Sequence, residues 1–191
     1  MKNFAKILFV SVLSLGFGVA AQAQTATNTL GASATIVDQL AVAQEADLKF
    51  GIVMQGVNKM INLVDGTSAS SGVPSTSNIG TGRFLVNAGA GSSVTLKVEV
   101  PANLLKGSVT MPIAFNENAL GAPATTVGFG PAPGSVTKLN VGAAGNSITF
   151  PSDVINSKTG TYVYVGGVVK PASDQENGAY IGTVTLTATY N

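Results

Sequence analysis

Val94, Leu96, Val98 and Val100 are separated by Thr95, Lys97 and Glu99. A period of two places alternate side chains on opposite faces of an extended chain. Residues 94–100 therefore predict a strand with one buried and one wet face, ended by Pro101. The same pattern closes the chain: Val184, Leu186, Ala188 and Tyr190 alternate with Thr183, Thr185, Thr187 and Thr189. A weaker version lies nearer the N-terminus. Ala32, Ala34 and Ile36 alternate with Ser33, Thr35 and Val37, and Leu40 and Val42 continue it.

Shorter apolar runs predict further strands at 48–50, 52–54, 60–64, 83–86, 109–115, 136–141, 147–150 and 162–169. Pro112 predicts an edge strand or a bulge in the 109–115 run. Gly166 and Gly167 lie inside a Tyr- and Val-rich run, which predicts a bulge or a close backbone approach. Residues 66–82 read as a polar loop, and 116–134, rich in Pro and Gly, as a long one. Residues 38–47 come closest to an amphipathic helix, and 151–157 suit a turn. Many short strands separated by turn signals indicate an all-β sandwich or barrel. Membrane barrels need strands of about 9–11 residues with an apolar outer band. The all-Thr face of the last strand disfavours one.

The first 23 residues have a different logic. Lys2 and Lys6 precede an uncharged apolar run over 7–20, and Ala21-Gln22-Ala23 supplies small residues at the two positions signal peptidase reads. The run is shorter than the ~20 residues a spanning helix needs. Residues 1–23 are expected to be a signal peptide cleaved between Ala23 and Gln24, leaving 24–191 as a single domain. The expected destinations are the periplasm, the cell surface or the medium. No later run is long enough to span a membrane as a helix.

Composition narrows the chemistry. Charged residues are 10% of the chain, against about 25% in an average soluble domain, while 45% is hydrophobic. Without Lys2 and Lys6, eight basic side chains face nine acidic ones, a balance that attracts neither nucleic acid nor an anionic membrane. Cys, His and Trp are absent. No disulfide, ordinary zinc site, Ser–His pair or Cys–His pair can be built. Asp174 and Glu176 lack the further oxygens that Ca2+ requires and read as a solvated turn. Asp47 is expected to close a turn on backbone N–H groups. Tyr162, Tyr164, Tyr180 and Tyr190 read as half-buried strand tyrosines with wet hydroxyls. Gly80, Gly82, Gly142 and Gly145 lack the Lys-Ser/Thr and helix of a phosphate loop and read as turn glycines. No enzyme and no cofactor is expected.

Three segments together carry a resemblance. The first is Ala34-Thr35-Ile36 with Asp47-Leu48-Lys49-Phe50-Gly51. The second is Phe84-Leu85-Val86 and the strand ending at Pro101. The third is Val165-Gly166-Gly167 with Gly178-Ala179-Tyr180-Ile181-Gly182 and the closing run to Tyr190. Their order resembles a family of secreted bacterial domains of unknown function. That family looks like the immunoglobulin-like pilin and spore-coat subunits handled by periplasmic chaperones and outer-membrane ushers. This chain departs from many fimbrial subunits in lacking a Cys pair.

The resemblance implies an immunoglobulin-like (pilin-like) β-sandwich. It implies a structural or surface subunit assembled through strand or sheet contacts. Implied partners are identical or related subunits, with a chaperone and usher. In such assemblies one subunit's extension adds a strand to the next. Leu30, Ala32, Ala34 and Ile36 are the candidate assembly strand, with the first strand of a self-complete domain as the other reading. Tyr180, Gly182, Val184, Leu186, Ala188 and Tyr190 form the candidate closing strand, and the resemblance gives Tyr190 a place at a recognised or groove-lining terminus. A self-contained secreted adhesin or ligand-binding module is the alternative function.

Overall fold

A computed structural model of the chain describes residues 31–34, 36, 39–63, 68–70, 78–150 and 161–191. The proposed cleavage residues Ala21, Ala23 and Gln24, together with Leu30 and the 151–157 turn, lie outside the described residues. Met1–Thr35 is one unit and Ile36–Asn191 another. In the first, residues 31–34 are exposed and belong to no strand.

The second unit is all-β, and no helix occurs among the described residues. Its strands are β1 (Ala41–Ala46), β2 (Lys49–Phe50), β3 (Lys59–Ile61), β4 (Ser68–Ser70), β5 (Ile79–Gly80) and β6 (Gly82–Asn87). There follow β7 (Ser93–Glu99), β8 (Asn103–Lys106), β9 (Val109–Ala114), β10 (Val127–Ala132), β11 (Ser135–Lys138) and β12 (Asn146–Thr149). The last three are β13 (Thr161–Val165), β14 (Gly167–Val169) and β15 (Thr185–Tyr190).

One sheet has the order β1-β6-β13-β10-β11, a second β12-β7-β15 and a third β4-β3-β14-β9-β8, with β2 and β5 paired alongside. Every pairing between these strands is antiparallel. The main core joins the first two sheets. Val86, Val127, Phe129, Val163 and Val165 come from one, and Val94, Leu96, Val98 and Leu186 from the other. Full burial of each such side chain contributes about 1.5–3 kcal/mol. Alternation in β7 and β15 thus points where the sequence predicts: Leu186 is buried, and Val184, Ala188 and Tyr190 pack against the same core.

β13 and β14 are one extended run interrupted at Gly166. A Cβ on Gly166 would lie 2.3 Å from the Ile61 carbonyl oxygen, so the backbones approach as only glycine allows. Through this run the first sheet continues into the third. There a second core gathers Phe50, Ile61, Met111, Ile113 and Val169.

Several elements differ from the sequence reading. The helix-like stretch 38–47 contains β1 instead, exposed on an edge and paired only with β6. The alternating residues Ala32, Ala34 and Ile36 lie outside every strand, and Ile36 is 95% exposed. The loop read over 116–134 holds β10, and that over 66–82 holds β4 and β5. Strand β9 is internal, not an edge. Pro112 is tolerated there because the missing N–H would face Lys170, just past the end of β14: the Pro112 carbonyl still accepts Lys170 N–H at 2.9 Å, and the one bond it cannot donate falls beyond that ladder.

Candidate functional site

The open edges of the first two sheets lie side by side. β1 ends one sheet, β15 ends the other, and the two are in contact. Among the described residues nothing pairs with the second edge of either strand. Tyr190 Oη accepts the Gly89 N–H at 2.8 Å, just past the end of β6 where Ala41 pairs with Asn87. The end of β15 therefore lies by the start of β1, and the two run antiparallel.

Beyond the other end of this pair the edges part around a cleft of about 930 Å3. One wall is residues 46–53 and the other residues 175–184. Between them it is lined by Phe84, Leu104, Met111, Ile113 and Val165. Its floor is thus the exposed side of the second core and of the β6–β13 junction. Ile52 and Ile181, 69% and 74% exposed, belong to opposite walls. Charges at the margin are internally matched: Lys49 lies 3.8 Å from Asp47, and Glu176 is paired with Lys106. The floor of the cleft is apolar, Gln44, Gln55, Asn78 and Asn177 add polar groups to its lining, and its edge is close to neutral.

The walls are built mostly from loops, with the short β2 in the first. Lys59, buried in β3, donates from Nζ to the Ile52 carbonyl at 2.8 Å, and burial lowers the pKa of its ammonium. On the other side Gln175 is the anchor. Its Nε2 donates to Thr110 O at 3.1 Å and to Tyr180 Oη at 2.7 Å, while its own carbonyl accepts from Gln55. Tyr180 Oη donates to Glu176 O at 2.8 Å. Leu105 and Ile181 exchange both backbone bonds, at 2.7 and 2.9 Å.

The structure sorts the sequence candidates. Asp47-Leu48-Lys49-Phe50-Gly51 and Gly178-Ala179-Tyr180-Ile181-Gly182, remote in the chain, form the facing walls, and Val165 lies between them. Tyr180, Gly182 and Val184 precede β15 rather than belonging to it. Tyr190 packs on the main core and does not line the cleft. The expected wet hydroxyls are bonded at Tyr164, Tyr180 and Tyr190, Tyr164 donating to Pro131 O at 3.4 Å. The Tyr164 ring is buried, which raises its phenol pKa. Asp47 accepts from the Gln44 side chain at 2.6 Å instead of from backbone N–H groups. Glu176, read as part of a solvated turn, holds Lys106. Among the described residues no cluster of three or more Asp or Glu side chains is placed to hold a metal, and no helix is long and apolar enough to cross a membrane.

Sequence reasoning missed Lys59, Gln175 and Lys106, which fix the walls. A lysine inside the Lys59-Met60-Ile61 apolar run was the one local signal available. No family model, curated protein or solved structure matches this chain.

Proposed function

We propose that this chain is an exported, non-enzymatic structural subunit that assembles by β-strand addition, in the manner of pilus or coat subunits. The observation that carries the reading is the unpaired edge of β15 beside an apolar cleft. An immunoglobulin sandwich of constant type has sheets A-B-E-D and C-F-G. The order β1-β6-β13-β10 follows the first, and β7-β15 follows C-F. The position of the last strand, G, has no occupant among the described residues. A strand supplied there would satisfy the β15 edge and cover apolar surface, the two contributions that drive strand addition.

The proposed donor is residues 24–36 of another copy or of a related subunit. The segment carries no charge, which suits a cleft with matched charges at its margin. Its described residues are exposed and unpaired with any strand. Export by residues 1–23 would expose this segment at a new N-terminus, and a periplasmic chaperone and usher are the expected handlers.

The test is an unheated denaturing gel of chain purified after export, beside a variant lacking residues 25–36. A ladder that collapses to monomer on heating, and is lost in the deletion, is the expected result. A monomer at every concentration with its N-terminus intact would replace this reading with that of a self-contained binding module.

A further inference from the structure

The wall formed by residues 176–184 is fastened differently from the rest of the domain. Antiparallel pairing of β15 with β7 runs from Tyr190↔Val94 to Thr185↔Glu99. Continued without a break, it would set Ile181 opposite Asn103. Ile181 sits opposite Leu105 instead. The slip lies between Glu99 and Leu105, a stretch that holds Pro101, which has no N–H to offer a partner strand. Gly182, Thr183 and Val184 are left between two paired stretches, outside any strand.

The Tyr180 ring packs on the second core and its hydroxyl bridges Gln175 and Glu176; two fastenings tie the rest of this wall to β8. One is the Leu105–Ile181 bridge, between residues 48% and 74% exposed. The other is Lys106, whose Nζ reaches both the Glu176 carboxylate and the Asn177 carbonyl. Its side chain crosses the wall at Gly178, which has φ +144°, and a Cβ there would lie 2.8 Å from Lys106 Cε. Glycine at 178 is therefore what lets the lysine pass. The foot of the wall is firmer: Gly56 N–H donates to Ala172 O at 2.9 Å, and Gln175 is held from Thr110 and Gln55.

We infer that residues 176–184 are a movable wall of the cleft, hinged at Gln175 and at the start of β15, and that Lys106 is the latch. With the latch closed, the cleft keeps its present width. With it released, the wall swings on its exposed bridge, and residues 182–184 become free to extend β15. The purpose assigned to this motion, admitting a strand, rests on the assembly reading; the motion itself does not.

Hydrogen exchange on the full exported chain tests it without any ligand. Lys106→Met is expected to speed exchange of the amides of residues 177–184 by up to about fivefold, the upper end for loss of a partly exposed ion pair. Gly178→Ala should speed it at least as much, both by crowding the lysine and by straining a backbone held at φ +144°. Salt at 1 M should speed exchange in the parent chain and leave Lys106→Met unmoved. Equal exchange in parent and Lys106→Met, with both folded by circular dichroism, would overturn the latch. A synthetic peptide of residues 24–37 separates the two ideas. Faster exchange together with faster peptide capture supports both, whereas faster exchange with no capture keeps the latch and removes the assembly reading.

Discussion

The Tyr190 hydroxyl accepts the backbone N–H of Gly89 at 2.8 Å, tying the end of β15 to the turn between β6 and β7. Gly89 is buried, so its N–H has no solvent to replace a lost acceptor. This bond links the last strand of one sheet to the turn that leaves β6 of the other. Tyr190→Phe keeps the ring against the core and removes the hydroxyl that accepts this bond. It should cost about 1–3 kcal/mol, read as a lower urea midpoint with an unchanged slope.

Gly130 tests why β10 exists at all. A Cβ there would lie 2.0 Å from the Ser135 carbonyl oxygen, which is backbone and has nowhere to move. The hairpin of β10 and β11 closes only because that side chain is absent. Gly130→Ala should destabilise by about 1–3 kcal/mol through overpacking. Gly134, in the turn of the same hairpin, has open space around it, and Gly134→Ala should stay within about 0.5 kcal/mol of the parent. Thermal unfolding of the pair separates crowding from a general dislike of substitution in this hairpin.

The same residues explain what was legible in the sequence. β7 and β15 were readable because each has one buried and one wet face, so burial writes a period of two into the side chains. β10 was not, since Gly128, Gly130 and Pro131 are turn signals when read alone. Its glycines answer to the approach of β11, a contact distant from any local pattern. β1 was hidden for the opposite reason: as an exposed edge it buries almost nothing, so Ala41-Val42-Ala43-Gln44-Glu45-Ala46 carries no alternation. The cleft has the same character. Its walls were visible as two of the segments that carry the resemblance, but their facing each other depends on the path of the sheets. The side chains that fix them make long-range bonds that no local spacing announces.

Tyr164 gives stability a dependence on alkaline pH. Burial raises its phenol pKa above the ordinary value of 10.0. Just above pH 10 the unfolded chain has released this proton while the folded chain retains it. The folded state then binds more protons, so stability falls as pH rises through that window and is intact below it. Lys59 acts in the reverse sense: its lowered pKa makes the folded chain release a proton first, so stability rises towards pH 10.5. Comparing the parent with Tyr164→Phe cancels the lysine. The parent should lose more stability than the variant between pH 9 and pH 11 in urea titrations. Equal losses would remove Tyr164 from the account.

Assembly through residues 24–36, if it proceeds by strand addition, must be sensitive to which face of the segment is altered. In an extended chain Leu30, Ala32, Ala34 and Ile36 share one side, and Ser33 lies on the other. Only the first set would enter the apolar cleft between residues 46–53 and 175–184. Ile36→Asp would bury a charge with no partner there, whereas Ser33→Asp would leave its charge in water. Both positions are exposed in the structure, at neither does the side chain support the fold, and both variants should therefore fold as well as the parent. The expected outcome on the unheated gel is a ladder lost or strongly shortened for Ile36→Asp and kept for Ser33→Asp. Equal loss in both would point to a general effect of charge on the segment, and equal retention would place the subunit contact elsewhere.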